Sequence, residues 1–349
     1  MKSAIRTVLI VILLLAAAGG GGAWYIWNGM LPVAPAGPAV TFTIEKGMGS
    51  GEIADLLEDK GIIRNSLFFK GYLKWTKEGA SFKAGTYNAS PGETYDELIS
   101  RLNQGDVIEE ETVVFTIPEG FTAKQIVGKL AAAWGREPAE FQRLIDTGEG
   151  LPAMDALGIP QEDKLRHRLE GYLFPETYEL VKDSTPQEVV EAMLGQLEKK
   201  LDSIPDWQQK LKERGLTLHQ LLTVASLVER EVVVDSERAL VAGVIYNRLD
   251  KGQKLEIDAT VQYLLDKQKE RLYHKDLEVE SPYNTYKNPG LPPGPISSPG
   301  LKSIQAALEP EASEYFFYVT KKDGTQGHLF AATYKEHLAN IEKGKQTAQ

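Results

Sequence analysis

The chain has 349 residues, 42% hydrophobic and 25% charged, which is a globular composition long enough for two separate cores. A net charge of −10 with no lysine or arginine stripe argues against a nucleic-acid partner or an anionic surface, because polyanions are held by clustered cations. Cysteine is absent and the five histidines are scattered, which removes disulfides, thiolate nucleophiles and cysteine metal sites, so neither a metal nor a cofactor is expected.

Val8 to Trp27 is a run of 20 residues without a charge, long enough at about 1.5 Å per residue to cross about 30 Å of hydrocarbon. Lys2 and Arg6 precede it, so residues 1–28 are expected to be a cytoplasmic tip and a single transmembrane anchor, with everything beyond it outside the inner membrane. The small residues Ala16, Ala17 and Ala18 before a glycine run keep a cleaved signal peptide open as the alternative. Residues 29–39, rich in proline, glycine and alanine, read as a stiff linker.

A faint internal repeat follows. Phe42-Thr43-Ile44, Gly47, Ile53 and Leu57 recur 73 residues later as Phe115-Thr116-Ile117, Gly120, Ile126 and Leu130. Each copy predicts a strand, a glycine turn and an amphipathic helix. The first copy continues through Gly85-Thr86-Tyr87 to a helical pattern around Leu98 and Leu102, and in length and element order residues 40–108 resemble a LysM-like module, a glycan-binding type. A plain spacer is the alternative.

The segment Leu221 to Leu249 places acidic residues in an otherwise apolar helix. Thr217 and Gln220 form a capping box, and Leu221, Val224, Ala225, Val228 and Val232 then make one stripe, with Thr223, Ser226 and Arg230 on the expected wet side. Glu229 and Glu231 fall on opposite flanks of the stripe, where desolvation favours the neutral form that a general acid needs. Each glutamate could equally pair with an arginine such as Arg230 or Arg238. Spacing does not choose between them.

Two further stretches carry turn-rich motifs: Glu170 to Tyr178, and Ser281 to Gly300, a long loop of proline, glycine and aromatic residues. Tyr283 and Tyr286 could stack on sugar rings or pin the loop to the core. Asn247, one turn after Gly243, has room in this reading to donate to a sugar hydroxyl, or it caps its helix.

The strings ASLVERE, ERALVAGVIYNRL, EGYLFPETY, SPYNTYKNPGLPPGPISSPG and GHLFAATYKEH together resemble the endolytic murein transglycosylase (YceG-like) family over nearly the whole chain. The resemblance implies a lyase that cleaves the β-1,4 bond between N-acetylmuramic acid and N-acetylglucosamine in nascent peptidoglycan and leaves a 1,6-anhydro end. It implies a single catalytic glutamate, carried over to Glu229 as the first acid of the V-E-x-E string, with Glu231 supporting. Asn247, Gln262, Tyr283, Asn284, Thr285 and His328 become candidate cleft residues. Cell-wall synthases of the penicillin-binding type are the implied protein partners. The chain departs from the family pattern at Ser298, Glu176 and Ala259, which stand where asparagine, aspartate and proline are usual. The expected fold class is α+β: an N-terminal transmembrane helix, a LysM-like module, and a larger catalytic domain over 109–349 with an open cleft. A water-using glycosidase with Asp258 or Asp235 as second carboxylate, and a non-catalytic wall-binding scaffold, are the competing functions.

Overall fold

A computed structural model describes residues 19–22, 24–25, 27–33, 38–108, 111–265 and 269–347. The chain divides into two compact units, Met1–Glu110 and Glu111–Gln349. The expected fold class is corrected at its first two elements. Among the described residues no helix is long and apolar enough to cross a membrane. Residues 1–18, 23 and 26, on which much of the expected anchor falls, lie outside the described residues.

The expected LysM-like module is not shown either. The first unit runs β1 (Val40–Ile44), α1 (Ser50–Asp59), α2 (Ser66–Thr76), β2 (Gly85–Ala89) and α3 (Tyr95–Gln104). The two strands are antiparallel, with Phe42 opposite Tyr87 and Thr43 opposite Thr86. Strand alternation sends Phe42, Ile44, Tyr87 and Ala89 inward and leaves the threonines outside. The third helix completes this core, because its Tyr95, Leu98, Ile99 and Leu102 are all buried. Thr94 and Glu97 start it with a reciprocal capping box.

The second unit is mixed helix and strand. Its elements are β3 (Thr112–Thr116), α4 (Ala123–Trp134), α5 (Pro138–Thr147), α6 (Ala153–Ala156), β4 (Thr177–Val181), α7 (Pro186–Asp202), α8 (Trp207–Glu213), α9 (Leu218–Glu231), α10 (Arg238–Asp250), α11 (Asp258–Leu264), α12 (His274–Leu277), α13 (Leu301–Leu308), β5 (Phe317–Thr320), β6 (His328–Ala331) and α14 (Tyr334–Thr347). β3 pairs antiparallel with β4, which stacks Phe115 on Tyr178 at 5.2 Å. β5 and β6 form a second antiparallel pair, and α14 packs on it.

Helix α9 is the axis of this unit. Thr217 accepts from the Gln220 amide and Gln220 Oε1 accepts from the Thr217 amide, the expected capping box. The expected wet side is not found, because Leu221 through Val228 are all buried, Thr223 and Ser226 included. Their hydroxyls are satisfied within the core. Thr223 donates to the His219 carbonyl, and Ser226 donates to Thr223 O and accepts from the Ile296 amide. The Ser281–Gly300 loop therefore covers the face of α9 that alternation alone assigns to solvent.

The EGYLFPETY motif is also core. Gly171 adopts φ +82°, and a Cβ there would lie 2.4 Å from Pro295, so both backbone and space require glycine. Glu170 is 1% exposed. Its carboxylate oxygens accept from the Ala123 amide at 2.8 Å, at the start of α4, and from the Tyr263 hydroxyl at 3.0 Å. Burial pushes its carboxyl up to about 7, against the pull of nearby His167 and of these hydrogen bonds. The folded protein thus keeps a proton that the unfolded chain releases between the ordinary value, 4.5, and about 7. Stability falls as pH rises through that window, by on the order of 3 kcal/mol from this group, and levels off above it. Urea unfolding should show that decline for the wild type and a shallower one for Glu170→Gln; equal slopes would contradict the assignment.

Candidate active site

The two glutamates at the end of α9 sit in opposite settings. Glu229, with a side chain 8% exposed, gives Oε2 to three donors: the Gly300 amide at 3.1 Å, the Ser303 hydroxyl at 2.7 Å and Arg238 Nη1 at 3.3 Å. Gly300 is the N-cap of α13, whose unpaired amides and dipole favour an anion. Arg238 also donates to Ser303 Oγ at 2.5 Å and to Asp235 Oδ1 at 3.1 Å. Glu229 is therefore a carboxylate locked between α9, α10 and α13.

Glu231, two residues on, faces a cavity of about 400 Å³ lined also by Arg248, Glu256, Asp258, Tyr286, Tyr318 and His337. Its Oε2 accepts from the Tyr318 hydroxyl at 3.0 Å. Burial pushes its carboxyl up to about 7; the Tyr318 hydrogen bond opposes that shift and the negative charge of Asp258 adds to it. Asp258 opens α11 and accepts from the Tyr286 hydroxyl at 2.5 Å. Two carboxyl groups, each held by a tyrosine, thus share one cavity. One of them is poised to be protonated near neutral pH.

Arg248 shapes the wall of the cavity. It donates to the Phe316, Lys254 and Leu255 carbonyls at 2.7–2.9 Å, pairs with Glu256, and lies over the Phe317 ring. Glu256 sits at φ +53°, in the left-handed region where a non-glycine residue is strained. Arg248 holds the loop in that conformation.

The other candidate residues are engaged in holding the backbone. Asn247 donates to the Ser313 and Tyr315 carbonyls, and the space expected above Gly243 is filled, because a Cβ there would lie 2.3 Å from Glu311 O. Tyr283 is buried, with its ring 5.2 Å from that of Tyr263. Asn284 donates to the Leu277 and Val279 carbonyls, Thr285 accepts from the Ile257 amide, and Gln262 bonds the Lys269 backbone in both directions. His328 is 5% exposed, bonded to Glu237. None of these lines the cavity. Tyr318 escaped the sequence reading altogether, because it lies 87 residues from Glu231 on β5, the strand of its hairpin that carries none of the quoted strings. Asp258 and Tyr286 were singled out only for other roles.

A protonated carboxylic acid beside a second carboxyl, in a cavity of this size, is the equipment of an acid–base enzyme. The chain belongs to the YceG-like family, whose model matches residues 42–343. It is 33% identical over 311 residues to the endolytic murein transglycosylase of Bacillus subtilis strain 168, covering 87% of this chain and 84% of that protein. It is 32% identical over 339 residues to the endolytic murein transglycosylase of Streptococcus pneumoniae serotype 2, covering 91% of this chain but 60% of the pneumococcal protein. The crystal structure of a yceG-like protein from Listeria monocytogenes aligns with a TM-score of 0.60 at 32% identity, over 87% of this chain and 99% of that one.

The contrast between the glutamates is measurable. Glu229→Gln leaves buried Arg238 with the half-exposed Asp235 as its remaining carboxylate partner and should cost about 3 kcal/mol in urea unfolding. Glu231→Gln should be neutral or slightly stabilising above pH 7, since it removes a buried carboxylate. Equal effects would contradict the division of roles.

Proposed function

We propose that this enzyme is an endolytic murein transglycosylase of the lyase type, with Glu231 as its acid in place of Glu229. The names of its relatives support the reaction class and the peptidoglycan substrate. The observation that carries the residue assignment is that Glu231 opens on a cavity with its carboxyl raised to about 7, whereas Glu229 is bonded on one oxygen by three donors.

In this reading a MurNAc-β-1,4-GlcNAc bond of a nascent strand lies across the cavity. Tyr318 donates to Glu231 Oε2 and the Ala259 amide also bonds this carboxyl, which together fix the orientation in which it carries its proton. Glu231 gives that proton to the glycosidic oxygen as the bond to the anomeric carbon breaks. The resulting carboxylate takes the proton of the sugar's own C6 hydroxyl as that oxygen closes on the anomeric carbon, giving a 1,6-anhydro-MurNAc end. No water enters, so one carboxyl serves as acid and then base. Burial, with the charge of Asp258 added to it, keeps Glu231 protonated before the step, and that charge favours the oxocarbenium-like centre during it. The strands place the work on the outer side of the cytoplasmic membrane, beside the wall synthases that make them.

Asp258 also supports a second reading, in which it activates a water and the enzyme is a hydrolase, as in glycosidases with paired carboxyls. Mass spectrometry of products from uncrosslinked strands separates the two. Internal fragments with 1,6-anhydro ends from wild type, absent with folded Glu231→Gln and retained with Glu229→Gln where it folds, support the transglycosylase; reducing ends point to hydrolysis. The rate should fall as pH rises through about 7, where the acid loses its proton. Asp258→Asn removes a charge that holds the proton on, so it should move that limb to lower pH. An unmoved limb would contradict the role of Asp258.

A further inference from the structure

We propose that Glu237 and His328 form a positioning pair that acts through Tyr318 to aim the Glu231 carboxyl into the cavity, an inference that rests on Glu231 being the acid. Glu237 grips His328 at two points. Its carboxylate accepts from the His328 backbone amide, with both oxygens at 3.0 Å, and from the ring at Nδ1, 2.7 Å from Oε2. A carboxylate can only accept, so Nδ1 carries the proton and the ring is fixed in orientation. The site is closely packed around this contact, since a Cβ on Gly327 would lie 2.9 Å from Glu237 Oε1.

The fixed imidazole then meets Tyr318 edge to face, with centroids 5.3 Å apart and planes at 82°. Phe330 stands 6.4 Å from the same tyrosine ring. The Tyr318 hydroxyl oxygen lies on the χ2 axis, so it is the swing of the ring about χ1 that moves it, and His328 blocks part of that swing. The hydroxyl is thereby held 3.0 Å from Glu231 Oε2.

The chain of contacts begins beside the structural ion pair. Glu237 precedes Arg238, which binds Glu229, and Glu229 lies two residues before Glu231. Arg238, the first residue of α10, thus links to Glu229, and Glu237, the last residue of the short 3-10 turn Asp235–Glu237 before it, begins the link to Glu231. One link is a direct ion pair that holds the fold. The other passes through β6 and β5 and returns to the cavity. A burial role alone does not call for a carboxylate at 237, whereas fixing the histidine ring does.

The test is a kinetic double-mutant cycle on the full chain, with anhydro-product formation as the assay. Glu237→Ala should lower kcat about tenfold with KM changed less than about twofold, and should have no further effect in a Tyr318→Phe background. Losses that multiply across the two substitutions, or an unchanged kcat, overturn the proposal. If circular dichroism shows that Glu237→Ala does not fold, Glu237→Gln replaces it, with a loss of about threefold that again vanishes in Tyr318→Phe. A second readout does not depend on turnover. Solvent exchange of the Tyr318 hydroxyl proton, followed by NMR, should quicken about tenfold or more when Glu237 is changed, and unaltered exchange also overturns the proposal. Wild-type protein that cleaves no glycan would refute the transglycosylase reading, and the exchange measurement would still decide the coupling.

Discussion

The second unit is organised around one anion. Glu229 places its carboxylate at the first amides of α13 and against the Arg238 guanidinium, so three helices meet at a single oxygen, Oε2. A buried charge is tolerable only when it is paired and hydrogen-bonded, and here both conditions are met. That requirement fixes where α9 ends, because the helix must deliver Glu229 to this point. It also fixes α10, which supplies the arginine, and the Ser281–Gly300 loop, which must arrive at Gly300 in register.

The position of Glu231 follows from that constraint. Two residues further along a helix is a rotation of about 200°, so a side chain at 231 must leave α9 on the far side from the one at 229. It emerges into a cavity whose walls come from α10, α11 and β5, with Arg248 holding the loop between the two helices. The same helix end thus offers one carboxyl that is charged because the fold needs the charge, and one that burial drives toward neutrality. Charge at one and a retained proton at the other are opposite electrostatic demands, met by opposite faces of one turn.

Much of the scaffold was legible from local pattern. The offset repeat corresponds to a strand, a turn and a helix in each unit, with Gly47 at φ +97° and Gly120 at φ +75° in the left-handed region that the turn requires. The T-x-x-Q signature located the start of α9 because capping is a local reciprocal bond. What pattern could not supply was the partner of each face. Thr223 and Ser226 read as solvent-facing because they are polar, yet a distant loop covers them and their hydroxyls bond the helix's own carbonyls. Spacing left Glu229 and Glu231 unseparated for the same reason. Both flank the apolar stripe, and what separates them is tertiary contact, with Arg238, Gly300 and Ser303 on one and Tyr318 on the other. On the proline-rich loop Tyr283 is a candidate as an aromatic ring and Asn284 and Thr285 through the family resemblance, and local pattern does not show that the Asn284 amide staples the loop backbone.

The most direct test of this account is a crystal structure of the Glu231→Gln variant with a short glycan strand bound. The account predicts an uncleaved strand with a glycosidic oxygen within hydrogen-bond reach of the amide at position 231, and with Glu229 still bonded to Gly300, Ser303 and Arg238. A strand whose glycosidic oxygen lies against Glu229 instead, or one that avoids the cavity altogether, would contradict it.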